Sequence, residues 1–274
     1  MVDADGQVVG AVNVMIDLTE QRRAEEALRA SATALAASNA VKDEFLGLVS
    51  HELRTPITTI LGNARLLRDR GEAIGAERRD SMTTDIALES ERLLGIVENL
   101  LILTKLESGV RPDPEPQVLA HIVRTTVDAF RHRNAVRTVL LESEPRHLIV
   151  DADRPYLELL LGNLLSNAHK YSPLSAPIDV VVGSDDRQAE VRVLDRGIGL
   201  EADEAGRLFT AFYRAGAAKS QSAGLGIGLA ACKRVAEALG GRVWAVARDG
   251  GGSEFGFALP LARPTEPEEA TPIQ

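Results

Sequence analysis

Between Glu107 and Gln117 the chain carries Gly109, Pro112, Pro114 and Pro116, a run that neither a helix nor a strand tolerates well, and the sequence changes texture across it. Before the run, apolar residues recur at helical spacing. After it, short runs rich in β-branched residues alternate with helical stretches. A chain of 274 residues broken in this way reads as two halves with separate cores. The expected fold class is α+β: a helical hairpin first, then a mixed α/β domain.

In the first half, residues 3–17 read as a turn followed by one strand rich in β-branched residues. A single strand cannot fold alone, so it is expected to be the last piece of a domain lying outside this chain, or an edge that pairs elsewhere. From Thr19 the sequence turns helical. Ala24, Leu28, Ser31, Leu35, Ser38, Lys42, Phe45 and Val49 alternate steps of four and three, the rhythm of a coiled-coil seam. Ser31, Ser38 and Lys42 weaken that seam, which suits a segment that shifts register, and equally suits a solvated linker helix. A second helix is expected from about Glu77 to Leu106, with Ile86, Leu93, Val97, Leu100, Leu101 and Leu103 on a broad apolar face, separated from the first by the Gly71–Gly75 turn. A hairpin of this kind leaves one apolar side uncovered. Pairing two hairpins as a four-helix bundle covers it, so a homodimer is expected.

In the second half, strands are expected near Thr138–Leu141, Leu148–Val150, Ile178–Val182, Glu190–Leu194, Arg242–Ala247 and Glu254–Ala258, with helices near Leu119–His132, Arg154–Lys170 and Leu225–Leu239. The tail from Pro264, dominated by Pro, Glu and Thr, has too little apolar surface to order itself. The boundaries read from these patterns are 1–18, 19–41, 42–110, 111–262 and 263–274.

Composition excludes several function classes. A net charge of −9, with short basic runs such as Arg131-His132-Arg133 that lack interleaved aromatics, argues against nucleic acid as a partner. The single cysteine, Cys232, permits no internal disulfide and reads as a small buried side chain in a reducing cytoplasm. No apolar run approaches the ~18 residues of a membrane helix, and no signal peptide is apparent.

Chemistry concentrates in two places. His51-Glu52-Leu53-Arg54-Thr55-Pro56 sets an imidazole beside a carboxylate and a hydroxyl on a helix. An imidazole with a pKa near ~6.5 is largely neutral around neutral pH and has a lone pair for attack, while a carboxylate can take a hydrogen bond from the other ring nitrogen and support the charge that develops. Pro56 cannot donate to the Glu52 carbonyl, so a bend is expected beside the nucleophile. The other histidines show no ligand spacing with Cys or acidic partners.

The second place begins with Asn163, Asn167 and Lys170 on one helical face, opposite Leu164, Leu165 and Ala168. Two amides and an ammonium can hold metal-bound phosphates, since Mg²⁺ prefers oxygen ligands and keeps several waters. Asp195-Arg196-Gly197-Ile198-Gly199 follows a strand, and Gly224-Leu225-Gly226-Ile227-Gly228 opens a helix, with glycines that let backbone N–H groups approach phosphate. Between them lie Phe209-Thr210-Ala211-Phe212-Tyr213-Arg214 and a small, polar stretch suited to a mobile lid.

In that combination and order, over Val41 to Leu261, the motifs resemble the kinase core of two-component sensor histidine kinases. The resemblance implies that His51 is the phosphoacceptor, with Glu52 beside it and Thr55 serving phosphatase activity toward a response regulator. It implies that the second half is an α/β sandwich of the gyrase, chaperone and histidine kinase ATPase type, binding ATP and Mg²⁺. Asn167 is then the metal ligand, and Asn163, Lys170 and Tyr171 lie around phosphates and sugar. Asp195 accepts from the adenine amino group within the Gly197/Gly199 turn. Arg214, Gly224, Leu225, Gly226 and Gly228 belong to the lid and its glycine turn. Asp17-Leu18-Thr19-Glu20 resembles the exit of a PAS sensor domain. The family commonly has glycine where this chain has Ser222, which bears on the lid's geometry.

The expected function is autophosphorylation of His51 and transfer to an aspartate of a receiver domain. The alternatives are an ATP-binding scaffold without phosphotransfer, which typically lacks one of these residues, and a dimer-clamping ATPase, which has no use for the His51 segment.

Overall fold

The structure, a computed structural model, describes residues 19–110, 112–144, 148–201, 204–215 and 226–262, with the side chains at 19, 21, 24–27, 34 and 37–45 excepted. The expected strand in residues 3–17, the PAS-like exit up to Leu18 and the tail from Pro264 lie outside the described residues. Two compact units, Met1–Ser50 and His51–Gln274, are described separately.

Helix α1 runs from Thr19 to Arg70 with Pro56 inside it. In the first unit, Leu28 and Leu35, two of the expected seam residues, are exposed. In the second unit, Ala73 N–H closes a turn on the Arg70 carbonyl. A Cβ at Gly71 would collide with the Leu67 carbonyl oxygen, so glycine is what lets the chain leave α1 there. Helix α2 follows, Ala76–Glu107. It ends as the Gly109 N–H bonds the Leu106 carbonyl at 3.2 Å with φ of +81°, a backbone conformation natural to glycine.

The remainder is a layered α/β domain. Strand β1, Glu115–Val118, pairs antiparallel with β3, Ile149–Ala152, in a small two-stranded sheet. This corrects the expectation that the Glu107–Gln117 run takes neither helix nor strand. Among the described residues β1 has a ladder partner on one side only, so Pro116, set opposite Asp151, gives up an N–H on an edge where it can be spared.

The main sheet joins β2 (Val139–Ser143), β4 (Ile178–Ser184), β5 (Gln188–Leu194), β6 (Arg242–Ala247) and β7 (Ser253–Pro260) in the order β2-β4-β5-β7-β6. Only β2 and β4 run parallel. Helices α3 (Leu119–Arg133), α4 (Arg154–Tyr171) and α5 (Gly228–Ala238) pack on it. Val180, Val182, Val191 and Val193 alternate along β4 and β5 into the core, where they join Leu157, Leu160, Leu161, Leu164 and Leu165 of α4. The helix was expected to start at Leu225; α5 is described from Gly228. These elements bear out the α+β class, with the helical region followed by the α/β sandwich.

Candidate functional site

The apolar stripe of α4 fixes the direction of its other face. With Leu157, Leu160, Leu161, Leu164, Leu165 and Ala168 buried against the sheet, Asn163, Asn167, Lys170 and Tyr171 are left half-buried along the opposite side. Lys170 Nζ stands 5.1 Å from the Tyr171 ring centroid.

Asp195, at the end of β5, is 3% exposed. Its Oδ1 accepts from the Gly197 N–H at 2.7 Å and the Ser253 N–H at 3.2 Å, and Arg248 donates to its carbonyl at 2.7 Å. Burial raises the carboxyl above its ordinary value, and the two backbone N–H bonds and the charges of Arg248 and Arg137 partly oppose that rise. A carboxylate placed so deep and at such desolvation cost is a functional signature, and among the described residues its hydrogen bonds use only Oδ1. Gly197 is obligatory: a Cβ there would collide with the Tyr171 carbonyl, onto which the Ile198 N–H docks at 3.3 Å. Gly199 lies at φ +76°.

Two adjoining cavities open here. One, of about 400 Å³, is lined by Lys170, Tyr171, Ser172, Pro173, Arg196, Gly197 and Ile198. The other, of about 360 Å³, lies between Arg196-Gly197 and the Arg248–Gly251 turn. Phe212 takes φ +66°, rare for a non-glycine, and its N–H bonds the Gly226 carbonyl at 3.2 Å, tying the phenylalanine segment to the glycine turn. Arg214 is half-buried beside it. Gly228 touches the amide helix directly, since a Cβ on it would lie 2.9 Å from Asn163 Oδ1. Gly224, Leu225 and Ser222 fall outside the described residues. Cys232 is fully buried beneath this turn, its thiol pushed up to about 12 by burial, and so remains a protonated packing residue.

On α1, His51 is 75% exposed at the side chain and Glu52 16%, with Nδ1 and Oε1 3.9 Å apart. Thr55 is exposed, its hydroxyl donating weakly to the His51 carbonyl at 3.4 Å.

Four residues that sequence reasoning did not single out complete the picture. Arg92 of α2 donates to Glu52 Oε2 at 3.0 Å. Asn99 of α2 exchanges amide hydrogen bonds with Asn163. Arg137, 3% exposed, donates to the carbonyls of His169, Ser172, Pro173 and Ala176 and so holds the chain just past α4 in place. Arg248 braces Asp195 from the β6–β7 turn. None lies in a motif, and each acts on a residue at least 32 positions away, which local patterns cannot reveal.

Residues 41–109 match the family described as the His Kinase A (phospho-acceptor) domain, and residues 152–263 match the histidine kinase-, DNA gyrase B- and HSP90-like ATPases. Sensor protein KdpD of Clostridium acetobutylicum is 31% identical over 227 residues, which cover 80% of this chain and 25% of that protein. Sensor histidine kinase WalK of Bacillus subtilis is 30% identical over 267 residues, covering 95% of this chain and 41% of that protein. The chain thus spans less than half the length of these curated relatives. Among solved structures, full-length ShkA in complex with AMPPNP aligns with a TM-score of 0.57 and 27% identity, covering 83% of this chain and 48% of that one.

Proposed function

We propose that the chain, with its matches to the phospho-acceptor and ATPase domains of histidine kinases, is a two-component sensor histidine kinase that phosphorylates His51 from ATP and passes the phosphoryl group to an aspartate of a response regulator receiver domain. The observation that carries this reading is the pairing, in one chain, of an exposed imidazole next to a carboxylate with a buried Asp195 set in a glycine turn over a polar cavity. A scaffold would not need the first, nor a clamping ATPase. AMPPNP in the related ShkA supports nucleotide use.

Asp195 Oδ2 is suited to accept from an adenine amino group while Oδ1 stays committed to backbone N–H groups. Asn163, Lys170 and Tyr171 border the space for phosphates and sugar, with Arg214 and the Gly226–Gly228 turn at the lid. Asn167 would hold Mg²⁺: it offers a neutral amide oxygen on a half-exposed face, and among the described residues no cluster of His, Cys, Asp or Glu forms a metal cage. That donor set fits an ion held mainly by phosphate and water, and when bound the ion offsets charge on the transferring group.

At the acceptor, Nδ1–H faces Glu52, leaving the Nε2 lone pair to attack phosphorus. The Nε2–P bond forms as the bond to the ADP oxygen breaks, and Glu52 supports the positive charge on the ring. Thr55, one turn on, would orient water against the regulator's acyl phosphate in the reverse, phosphatase sense.

The hairpin's surface supports a pairing of two copies. In the second unit Ile57, Leu61, Leu66, Leu88, Leu94 and Leu101 are each 46% exposed or more, and a four-helix bundle covers them. Among the described residues no helix is long and apolar enough to cross a membrane. Work with ATP and a receiver domain belongs in the cytoplasm, downstream of a sensor module attached through α1.

The test is transfer. Phosphorylated protein, freed of ATP and mixed with receiver domains, should lose its label to one of them as an acyl phosphate. Retention of the label with every receiver tried would contradict the proposal.

A further inference from the structure

We infer that Arg92 is a positioning residue for phosphotransfer: it holds the Glu52 carboxylate so that one oxygen is kept for His51. The inference rests on the histidine kinase reading above and adds to it a residue outside the phosphoacceptor motif.

Arg92 and Glu52 come from opposite helices of the hairpin, 40 positions apart, and meet at 3.0 Å between Nη2 and Oε2. Both are drawn out of solvent, to 29% and 16% exposure at the side chain. Nη1 lies 3.6 Å from Glu89 Oε2 on the same helix, a buried oxygen with no hydrogen-bond partner, so Glu89 steadies the guanidinium by charge. With Oε2 occupied, Oε1 is the atom that faces His51 Nδ1 at 3.9 Å.

This arrangement divides the labour. Glu52 is fixed from the far helix, and the exposed imidazole is the part that moves. Closing the gap by about 1 Å brings Nδ1–H into hydrogen-bond range of Oε1 and leaves Nε2 pointing outward. Glu52, Glu89 and Arg92 together carry one net negative charge, which is available to the ring as its nitrogen bonds to phosphorus. Without Arg92, the two carboxylates repel and Glu52 turns toward solvent. A freely rotating carboxylate must then be ordered in each turnover, a loss felt in the chemical step and not in nucleotide binding.

The test is autophosphorylation of wild type, Arg92→Gln and Arg92→Lys, with kcat, the KM for ATP, helical content and mass in solution measured for each. The expected result is a fall of about tenfold in kcat for Arg92→Gln, a part of the ~10²–10⁴ that a positioned acid–base group supplies. KM should stay unchanged, and Arg92→Lys should recover most of the loss. An unchanged kcat in Arg92→Gln overturns the inference while the kinase reading stands. So does a loss in Arg92→Gln that comes with lost helicity or dimerisation and that lysine does not rescue, because that marks a structural role. Wild type that takes no label on His51 overturns both.

Discussion

The side-chain amides of Asn99 and Asn163 bond to each other, 2.8 Å from Asn163 Nδ2 to Asn99 Oδ1 and 3.4 Å in return. The pair joins α2 of the phosphoacceptor hairpin to the nucleotide helix α4. It engages the same amide that the family resemblance assigns to the phosphates, and on the proposed reading nucleotide and α2 would compete for Asn163. Asn99→Ala should tighten binding of a fluorescent ATP analogue by about fivefold, the equivalent of the ~1 kcal/mol typical of a hydrogen bond. Weaker binding would mean that Asn99 orients Asn163 for the nucleotide instead.

Asp195 is buried at a cost to stability that the proposed recognition of adenine would account for. Its carboxyl binds a proton more tightly folded than unfolded because burial disfavours the charge. The cost of ionising it therefore sets in as pH rises from the ordinary aspartate range and is fully present above the raised value. Asp195→Asn removes that cost while facing adenine with a donor where an acceptor is needed. Thermal melts should show the variant at least as stable as wild type at pH 7, while calorimetry detects no ATP binding. A variant that melts earlier and still binds ATP would contradict this.

His169 makes the α/β domain sensitive to acid. Arg137 Nε donates to His169 Nδ1 at 3.2 Å, and burial, with the Arg137 charge, lowers the imidazole below its ordinary value of 6.5. The folded protein keeps this ring neutral while the unfolded chain protonates it near 6.5, so stability should fall as pH drops below that value. Urea melts across pH 7 to 5 should slope downward, and His169→Gln should flatten the slope. Arg137→Met, which takes the guanidinium donor from four carbonyls, of which Pro173 keeps the Ala176 N–H, should cost about 3 kcal/mol at pH 7.

Leu94 and Leu101, 58% and 53% exposed, stand two turns apart on α2. Leu101→Glu would place a charge in the bundle seam, and light scattering should report a monomer at micromolar concentration. A dimer of undiminished affinity would locate the interface elsewhere.

What the sequence reveals and what it hides divides by distance along the chain. The helical periodicity before Gly71, the Asn163–Lys170 face and the Asp195–Gly199 turn are local patterns, and the helix, the half-buried polar face and the turn are present among the described residues. Leu28 and Leu35 of the expected seam, by contrast, are exposed, and Gly224 and Leu225 of the second glycine turn lie outside the described residues. Pro116 misled because a proline argues against a central strand, while β1 is an edge. Arg92, Asn99, Arg137 and Arg248 stayed hidden for a different reason. An arginine or asparagine on a half-polar helix or in a turn looks like a solvated residue until the fold shows which distant group it meets.

The most direct measurement is incubation of the purified protein with Mg²⁺ and γ-labelled ATP, beside His51→Ala, followed by acid treatment. A label that is stable in base, lost in acid and absent from His51→Ala is the expected result. An acid-stable label, or one that persists in His51→Ala, would contradict the central claim.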